Sequence, residues 1–301
     1  MYYEYKEGIK LKKRKEYVIE TARNIFNDKG YSTASIQDII EGCNISKGTF
    51  YNYFSSKNEF LIDYIKSAIK DEKTQRETLL IGEELTNKTV LAKQILVRIE
   101  INETYKLRPI IEEAIHSNDE TLITFIKTNY KNELNWLALR LLDIYGEEYT
   151  KYIYDCAVIM HGIMHNMTQI WKMLSNKKIN NEGLVDYTLR RIDAIVLDVK
   201  TQDDSFIQAH NFNFLVKQRS TDVSLDDINK QLNSINEALI DNNHLSKEYI
   251  TFITQEINSK EPRVLILRSI VETLYKSLLD NDLKDEFISI IIDMRVYLSK
   301  Y

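Results

Sequence analysis

The sequence has few turn-forming residues and no long apolar run. Its 301 residues include 8 Gly and 2 Pro. Sandwiches, barrels and propellers need a tight turn roughly every 8–12 residues, so this composition excludes them. A membrane helix needs roughly 20 apolar residues. The longest candidate, Phe287 to Leu298, is interrupted by Asp293 and Arg295, so no membrane partner is expected.

Cysteine is also scarce. Cys43 and Cys156 are far apart, which is typical of neither a disulfide framework nor a zinc ribbon. The N-terminus is rich in Tyr and Lys and lacks the apolar segment of a secretory signal. Because 44% of the residues are hydrophobic and 28% are charged, the composition fits a folded globular chain. We therefore predict a cytoplasmic, all-α protein.

No sequence pattern indicates catalysis or a cofactor. The chain lacks a Gly-rich phosphate loop, a Gly-x-Ser-x-Gly elbow and paired carboxylates, so we predict that it is not an enzyme. His161 and His165 have the i, i+4 spacing of metal ligands. However, Gly162 stands where a zincin has its catalytic Glu, and no third ligand is near, so no metal site is expected. The alternatives for these histidines are an effector pocket, a dimer interface or ordinary packing.

The charge is unevenly distributed along the chain. The net charge is −5, but residues 1–60 contain 10 Lys or Arg and 8 Asp or Glu. The basic excess lies in Lys10, Lys12, Lys13, Arg14 and Lys15. A short basic segment beside an acidic body suits a local phosphate contact, although such a run is more often a solvated helix face.

Residues 30–57, which are flanked by a longer helix on either side, have the spacing of a helix-turn-helix. An amphipathic helix over 12–29 ends at Gly30, and two short helices follow, capped by Ser35 and Ser46. A fourth helix begins at Ser56. In this arrangement the second short helix can lie in a major groove. Gly48 is costly inside a helix, and we expect it to permit close approach to a sugar–phosphate backbone.

The same segment resembles the TetR (tetracycline-repressor-like) family. The matching residues are Gly30-Tyr31, Ser35-Ile36, Ile39, Cys43-Asn44-Ile45-Ser46, Gly48, Phe50-Tyr51, Tyr53-Phe54, Lys57 and Leu61. The family has Ala and Gly where this chain has Cys43 and Asn44, and both departures are sterically mild. Asn44 also tolerates the left-handed conformation that the turn requires.

The resemblance implies DNA contacts by position. It places Lys47, Thr49 and Asn52 at base edges and Tyr51, Tyr53 and Lys57 at phosphates. The complete set of expected DNA-binding residues is Ser35, Gln37, Ser46, Lys47, Gly48, Thr49, Tyr51, Asn52, Tyr53 and Lys57.

The resemblance also implies a helical body that dimerises and encloses an effector pocket. The expected pocket residues are Tyr105, Trp136, Met160, His161, Met164 and His165. The helices predicted at 148–175 and 182–200 stand in the dimerising positions. Their expected interface residues are Tyr149, Ile153, Cys156, Met160, Met164, Trp171, Leu184, Leu189, Ile192 and Val196.

These expectations give an organisation and a function. We predict a DNA-binding domain over 1–60, an effector-binding and dimerisation domain over 61–200, and an additional helical region over 201–301. The expected function is a regulator, most often a repressor in this family, whose homodimer binds a palindromic operator and is released by a small-molecule effector. The alternative is a ligand-binding or protein-interaction module whose helix-turn-helix no longer reads DNA. Residues 201–301 could pack on the body, widen the dimer or bind a second protein.

Overall fold

The computed structural model describes residues 2–116, 119–207, 224–239, 244–278 and 283–298. Within these ranges all regular secondary structure is helical, which confirms the all-α prediction. The N-terminal helices are α1 (Tyr2–Lys29), α2 (Ile36–Gly42), α3 (Lys47–Tyr53) and α4 (Lys57–Thr78). The helices that follow are α5 (Lys88–Thr104), α6 (Leu107–His116), α7 (Glu120–Tyr145), α8 (Ile153–Leu174), α9 (Asn181–Gln202), α10 (Leu225–Ala238), α11 (His244–Ile257), α12 (Val264–Ser277) and α13 (Lys284–Leu298).

Helix α1 begins ten residues before the predicted start at residue 12. The prediction followed the apolar stripe, and the sequence before residue 12 does not continue that stripe. Lys and Glu are good helix formers, so helix propensity extends α1 beyond the stripe. Farther along, α1 packs closely on α2: a Cβ added at Gly42 would lie 2.9 Å from Cδ1 of Ile25.

The residue before a proline is disfavoured in a helix, so the sequence predicts a break at Arg108-Pro109. The break between α5 and α6 lies earlier. Lys106 has a φ of 49°, in the left-handed region, and Arg108 is already helical. Pro109 is tolerated because it lies in the first turn of α6, where a backbone N–H has no partner within the helix. Ser117 and Glu120 have the spacing of a capping box, which predicts a helix start there, but Ser117 lies outside the described residues. Asp119 caps α7 by accepting from the backbone N of Leu122 at 2.8 Å.

A first group of buried side chains, the N-terminal core, joins α1–α4 to the beginning of the body. Phe50, Phe54, Phe60 and Tyr64 are fully buried there. The same core continues through Ile101, Tyr105 and Ile110 to Leu122. The helix-turn-helix is therefore packed directly against α5, α6 and α7.

A second group, the central core, lies among α5, α7, α8 and α9 and corrects the predicted dimer surface. The structure buries Ile153, Cys156, Met160, Leu189, Ile192 and Val196 within the chain. These side chains pack inside the body, so they are not available to a partner. Other apolar side chains of α8, most of them in its C-terminal half, are exposed, and we call them the α8 patch: Val158, Ile159, Met167, Ile170, Trp171, Met173 and Leu174.

Helices α10–α13 form a third group, the C-terminal core, which packs on the body. Ile81, in the loop between α4 and α5, packs against this core, and Arg268 of α12 forms an ion pair with Glu84 of that loop. Helix α13 contacts α4. A cavity of about 110 Å³ lies between this loop and the C-terminal helices, beside Gly82, Leu85 and Leu267.

Candidate nucleic-acid interface

Both short helices begin at the predicted serine caps. The Oγ of Ser35 accepts from the backbone N of Asp38 at 3.1 Å, and the backbone N of Ser35 donates to Asp38 Oδ2 at 2.8 Å, which completes the capping box. Lys29 Nζ also donates to Asp38 Oδ1 at 2.6 Å. The bonds from Lys29 and then Ser35 lower the pKa of the Asp38 carboxyl well below its usual range. The start of α2 is therefore fixed to the end of α1.

Helix α3 has one buried face and one exposed face. Phe50 and Phe54 are fully buried, with ring centroids 5.3 Å apart. On the other face, Lys47, Gly48 and Asn52 are exposed, and 41% of Tyr51 is accessible to solvent. Two phenylalanines thus hold this helix against the core while its polar face points outward.

The turn before α3 takes the expected shape. Asn44 has a φ of 52°, the left-handed conformation predicted from its residue type. Gly48, in contrast, has no close neighbour in the chain: an added Cβ would meet only Ser46 Oγ, at 3.7 Å. Nothing within the described chain therefore requires glycine at position 48.

Several expected DNA contacts are bonded locally in the free protein. Ser46 Oγ accepts from the backbone N of Thr49 at 3.0 Å and lies 2.8 Å from the Thr49 hydroxyl oxygen. Gln37 Nε2 donates to Glu41 Oε1 at 2.8 Å. Tyr53 is half-buried against the N-terminal core. These side chains are oriented before any ligand arrives.

Lys57, at the start of α4, is paired with the body. Its Nζ lies 2.9 Å from Glu113 Oε1 on α6 and 5.9 Å from the centroid of the Tyr31 ring. About half of the Lys57 side chain is exposed. A phosphate at this position would compete with the Glu113 carboxylate for the same ammonium group.

Comparison with known proteins agrees with this geometry. Residues 18–64, which span α2, α3 and parts of α1 and α4, match the sequence model of the family described as bacterial regulatory proteins, tetR family. Residues 18–64 form a tetR-family DNA-binding domain. The rest of the chain extends well beyond this tetR-family domain.

Relatives match over nearly the whole chain. An uncharacterized HTH-type transcriptional regulator of Bacillus subtilis (strain 168), YerO, is 26% identical over 276 residues, covering 88% of this chain and 90% of the relative. A second B. subtilis regulator, YuxN, is 26% identical over 275 residues and 94% of its length. The HTH-type transcriptional repressor DhaR of Mycobacterium sp. (strain GP1) is 37% identical over 46 residues, 15% of this chain and 23% of DhaR. No solved structure matches significantly.

The expected pocket residues do not lie together in the structure. Tyr105 is buried in the N-terminal core, where its hydroxyl donates to Asp71 Oδ2 at 2.5 Å and accepts from Arg23 at 3.2 Å. Met160 and Met164 pack in the central core. Trp136 is half-buried, with the Arg76 guanidinium 3.4 Å from its ring centroid. Tyr105 therefore lies in a different core from the two methionines.

The two histidines lie one turn apart on α8, with His161 facing α7 and His165 exposed. His161 Nδ1 is 3.3 Å from the Tyr130 hydroxyl, and its ring stacks on that of exposed His165 with centroids 6.2 Å apart. Burial, and then the charge of Arg98, lower the pKa of His161. The described residues contain no group of three or more His, Cys, Asp or Glu side chains placed to hold a metal ion.

A buried ion-pair network lies beside His161, and sequence reasoning missed it. Arg76 binds Glu133 with two parallel bonds of 2.8 and 2.7 Å, and Arg98 Nη1 donates to Glu72 Oε2 at 2.8 Å. Burial opposes ionisation of Glu133, but Arg98 and Arg76 outweigh it, so the pKa of that carboxyl is lowered. The signal in the sequence was Glu72 and Arg76, an i, i+4 pair on α4.

Proposed function

We propose that this chain represses transcription as a homodimer that binds a palindromic operator through α3 and is released by a small-molecule effector. The observation that carries the proposal is the outward face of α3, with Lys47, Gly48, Tyr51 and Asn52 above buried Phe50. The tetR-family match over residues 18–64 and the regulator names of the relatives support it. The chain would act by binding rather than by catalysis.

The proposed DNA contacts follow from exposure and chemistry. Lys47 and Asn52 are exposed and carry groups that bond to guanine and adenine edges, respectively, in the major groove. Tyr51 and Lys57 suit phosphate contacts. Thr49 and Tyr53 complete the set on α3, and Ser35, Gln37, Ser46 and Gly48 would line the approach to the duplex.

Dimerisation is proposed through the α8 patch. One recognition helix reads few base pairs, and two must sit about 34–36 Å apart on successive major grooves. The α8 patch carries seven large apolar side chains on one helix, and exposed apolar clusters of this kind mark interfaces. The second copy is the occupant that palindrome recognition requires.

The effector site is proposed between α7 and α8. His161, Trp136 and Tyr130 lie there beside the buried network that reaches α4. Helix α4 also begins with Lys57, so a ligand that shifts this network would displace the DNA-binding domain. A ligand that prefers the displaced arrangement must weaken operator binding by the same factor by which the operator weakens ligand binding.

The domain division is proposed as residues 1–60 for DNA binding, 61–200 for effector binding and dimerisation, and 201–301 as an added region. In the described part of that added region, the ion pair between Arg268 and Glu84 supports packing on the body as one of its roles. Within the described ranges, every helix is too short or too polar to cross a lipid bilayer.

The experiment selects duplexes from a random pool with the wild-type protein and then measures the affinity of variants for the selected duplex. We expect inverted repeats with half-site centres about 10 bp apart. We expect Lys47→Ala to weaken binding at least about tenfold, since one good base contact contributes about 1–3 kcal/mol. We expect Tyr51→Ala, which removes a phosphate contact, to weaken binding as well. Lys93→Ala, an exposed lysine on α5, is the control.

The alternative, a module that no longer reads DNA, predicts a different result. A phosphate-contacting protein loses affinity steeply as salt rises, whereas an interaction module has no DNA-linked salt dependence. Unchanged affinity in both α3 variants, or the absence of a salt slope in the wild type, would reject the repressor proposal. Native mass spectrometry of protein purified from its own host tests the effector proposal, because a retained small molecule should be lost in His161→Ala.

A further inference from the structure

The N-terminal half of α1 projects beyond the tetR-family domain. The domain match begins at residue 18, whereas α1 begins at Tyr2 and runs without interruption to Lys29. At 1.5 Å per residue, the part that precedes Lys15 is about 20 Å long. A continuous helix fixes the direction of this segment, which a flexible arm would not.

Contacts along α1 show where that segment points. Near the C-terminal end, Asn27 Nδ2 donates to the carbonyl oxygen of Thr104 in the body at 3.1 Å. Near the middle, Lys15 Nζ lies 3.4 Å from Asp63 Oδ2 of α4 and 4.9 Å from the ring centroid of Phe54. Going toward its N-terminus, α1 therefore passes from the body to the end of α3. The residues before Lys15 continue past the same side of the domain.

The chemistry of this segment suits a polyanion. Residues 10–15 contain five Lys or Arg in six positions. Lys13 and Arg14 are exposed, and so are Leu11 and Tyr17, with 57% of Tyr17 accessible. The remainder of the chain from residue 61 is acidic, so the positive charge is concentrated beside the recognition helix.

We propose that the N-terminal half of α1 is a second DNA-binding surface that contacts the phosphodiester backbone flanking the operator, with Lys13 and Arg14 as its binding residues. It rests on the proposed DNA-reading function and adds a site outside residues 18–64. Phosphates follow one another closely along each strand of duplex DNA. The basic part of this helix, residues 10–15, is about 9 Å long, so it can reach neighbouring phosphates without reading bases. Contacts at this surface raise the affinity for DNA and lengthen the footprint, but they add no sequence preference.

The test compares two duplexes: the wild-type-selected sequence alone, and the same sequence with ten added base pairs on each side. The variant is Lys13→Gln/Arg14→Gln. The matched control is Lys93→Gln/Lys260→Gln, which removes two exposed charges elsewhere. Each charge at a phosphate contributes about 0.9 to the salt slope. On the longer duplex we expect the salt slope of the Lys13/Arg14 variant to be smaller than that of the wild type by about 1.8 per bound protomer. We also expect its affinity for that duplex to fall at least about tenfold. On the shorter duplex the variant should behave like the wild type.

The outcomes separate this proposal from the proposed function. If the Lys13/Arg14 variant matches the control on both duplexes while Lys47→Ala still loses binding, the second surface is rejected and the repressor proposal stands. If neither wild type nor variants bind DNA, the repressor proposal itself fails. Wild-type binding to anionic phospholipid vesicles that the Lys13/Arg14 variant loses, together with an unchanged DNA slope, would also overturn the proposal. Unchanged far-UV circular dichroism confirms that the variant is folded.

Discussion

Arg76 on α4 and Glu133 on α7 form a buried bidentate ion pair, and the Arg76 guanidinium lies 3.4 Å from the Trp136 ring centroid. Their side chains are almost completely removed from solvent. Helix α4 begins at Lys57 beside the DNA-binding face and contributes Arg76 near its other end. This pair therefore connects the helix that leaves the tetR-family domain to the centre of the body.

Replacing Glu133 with Gln tests that connection. The amide keeps the shape of the side chain but leaves the charges of Arg76 and Arg98 under-compensated in a buried site. Removing one partner of a buried pair costs about 3–5 kcal/mol. We expect Glu133→Gln to lower the free energy of unfolding by about 3 kcal/mol in urea titrations followed by circular dichroism.

An exposed pair provides the control. Glu112 accepts from Arg108 Nε at 2.8 Å on α6, and both side chains are about half exposed. Such surface pairs contribute about 0–1 kcal/mol, so Glu112→Gln should change stability little. Equal losses in the two variants would show that burial of the Arg76–Glu133 pair has no special effect.

Gly48→Ala separates protein stability from DNA affinity. An added methyl group meets only Ser46 Oγ at 3.7 Å, so the free protein accommodates it. Alanine is favoured over glycine in a helix interior by about 1 kcal/mol. We expect the variant to be slightly more stable in thermal unfolding but to bind the selected duplex at least about tenfold more weakly, because the methyl group occupies the space of the approaching backbone.

Thr128→Ala is the matched control for that result. Thr128 is exposed on α7, away from α3, and the substitution also raises helix propensity. It should leave DNA affinity unchanged. A Gly48→Ala protein with wild-type affinity would mean that the glycine is not needed for close approach to DNA.

The two cysteines should react slowly in the folded protein. Both are buried, and burial raises the pKa of Cys156 from about 9 to about 11 and also raises that of Cys43. The thiolate is the reactive form, so two pKa units reduce its concentration about a hundredfold at pH 8. We expect iodoacetamide to modify Cys156 at least about a hundredfold more slowly in buffer than in concentrated urea, which unfolds the protein.

Ser55→Cys supplies the exposed reference thiol in the same chain. Ser55 is exposed between α3 and α4, so its replacement should be alkylated rapidly without urea. Mass spectrometry of proteolytic peptides assigns the modified position. Rapid modification of Cys156 in buffer would contradict its burial in the central core.

The DNA-binding domain could be predicted closely from its sequence because its signals are local. Serine caps, Gly30, the left-handed Asn44 and the Phe50/Phe54 spacing act within a few residues of where they stand. They located α2 and α3 to within a residue or two. The predicted start of α1 was wrong because it was read from the apolar stripe, whereas helix propensity extends the helix beyond that stripe.

The organisation of the body could not be predicted in the same way. Apolar periodicity showed that α8 and α9 each bury a face, but not whether the partner is the same chain or another copy. Ile153, Cys156 and Ile192 were therefore assigned to a dimer surface, whereas they pack in the central core. Likewise, nothing local indicates that Arg98 of α5 meets Glu72 of α4, since that contact depends on the packing of two helices.

The outward face of α8 leads to the last prediction, Ile170→Glu. Ile170 is 49% exposed near the middle of the α8 patch, between Met167 and Met173 along the helix. A carboxylate there would lose its hydration in an apolar interface, and burying an unpaired charge is costly. We expect Ile170→Glu to be monomeric in sedimentation analysis and to lose affinity for the selected palindrome. Ile115→Glu introduces the same charge at a 56% exposed isoleucine on α6, outside the patch, and should remain dimeric. If Ile170→Glu is still dimeric, the two-fold interface lies elsewhere. If the wild type is monomeric and still binds the palindrome tightly, DNA binding does not need a dimer interface.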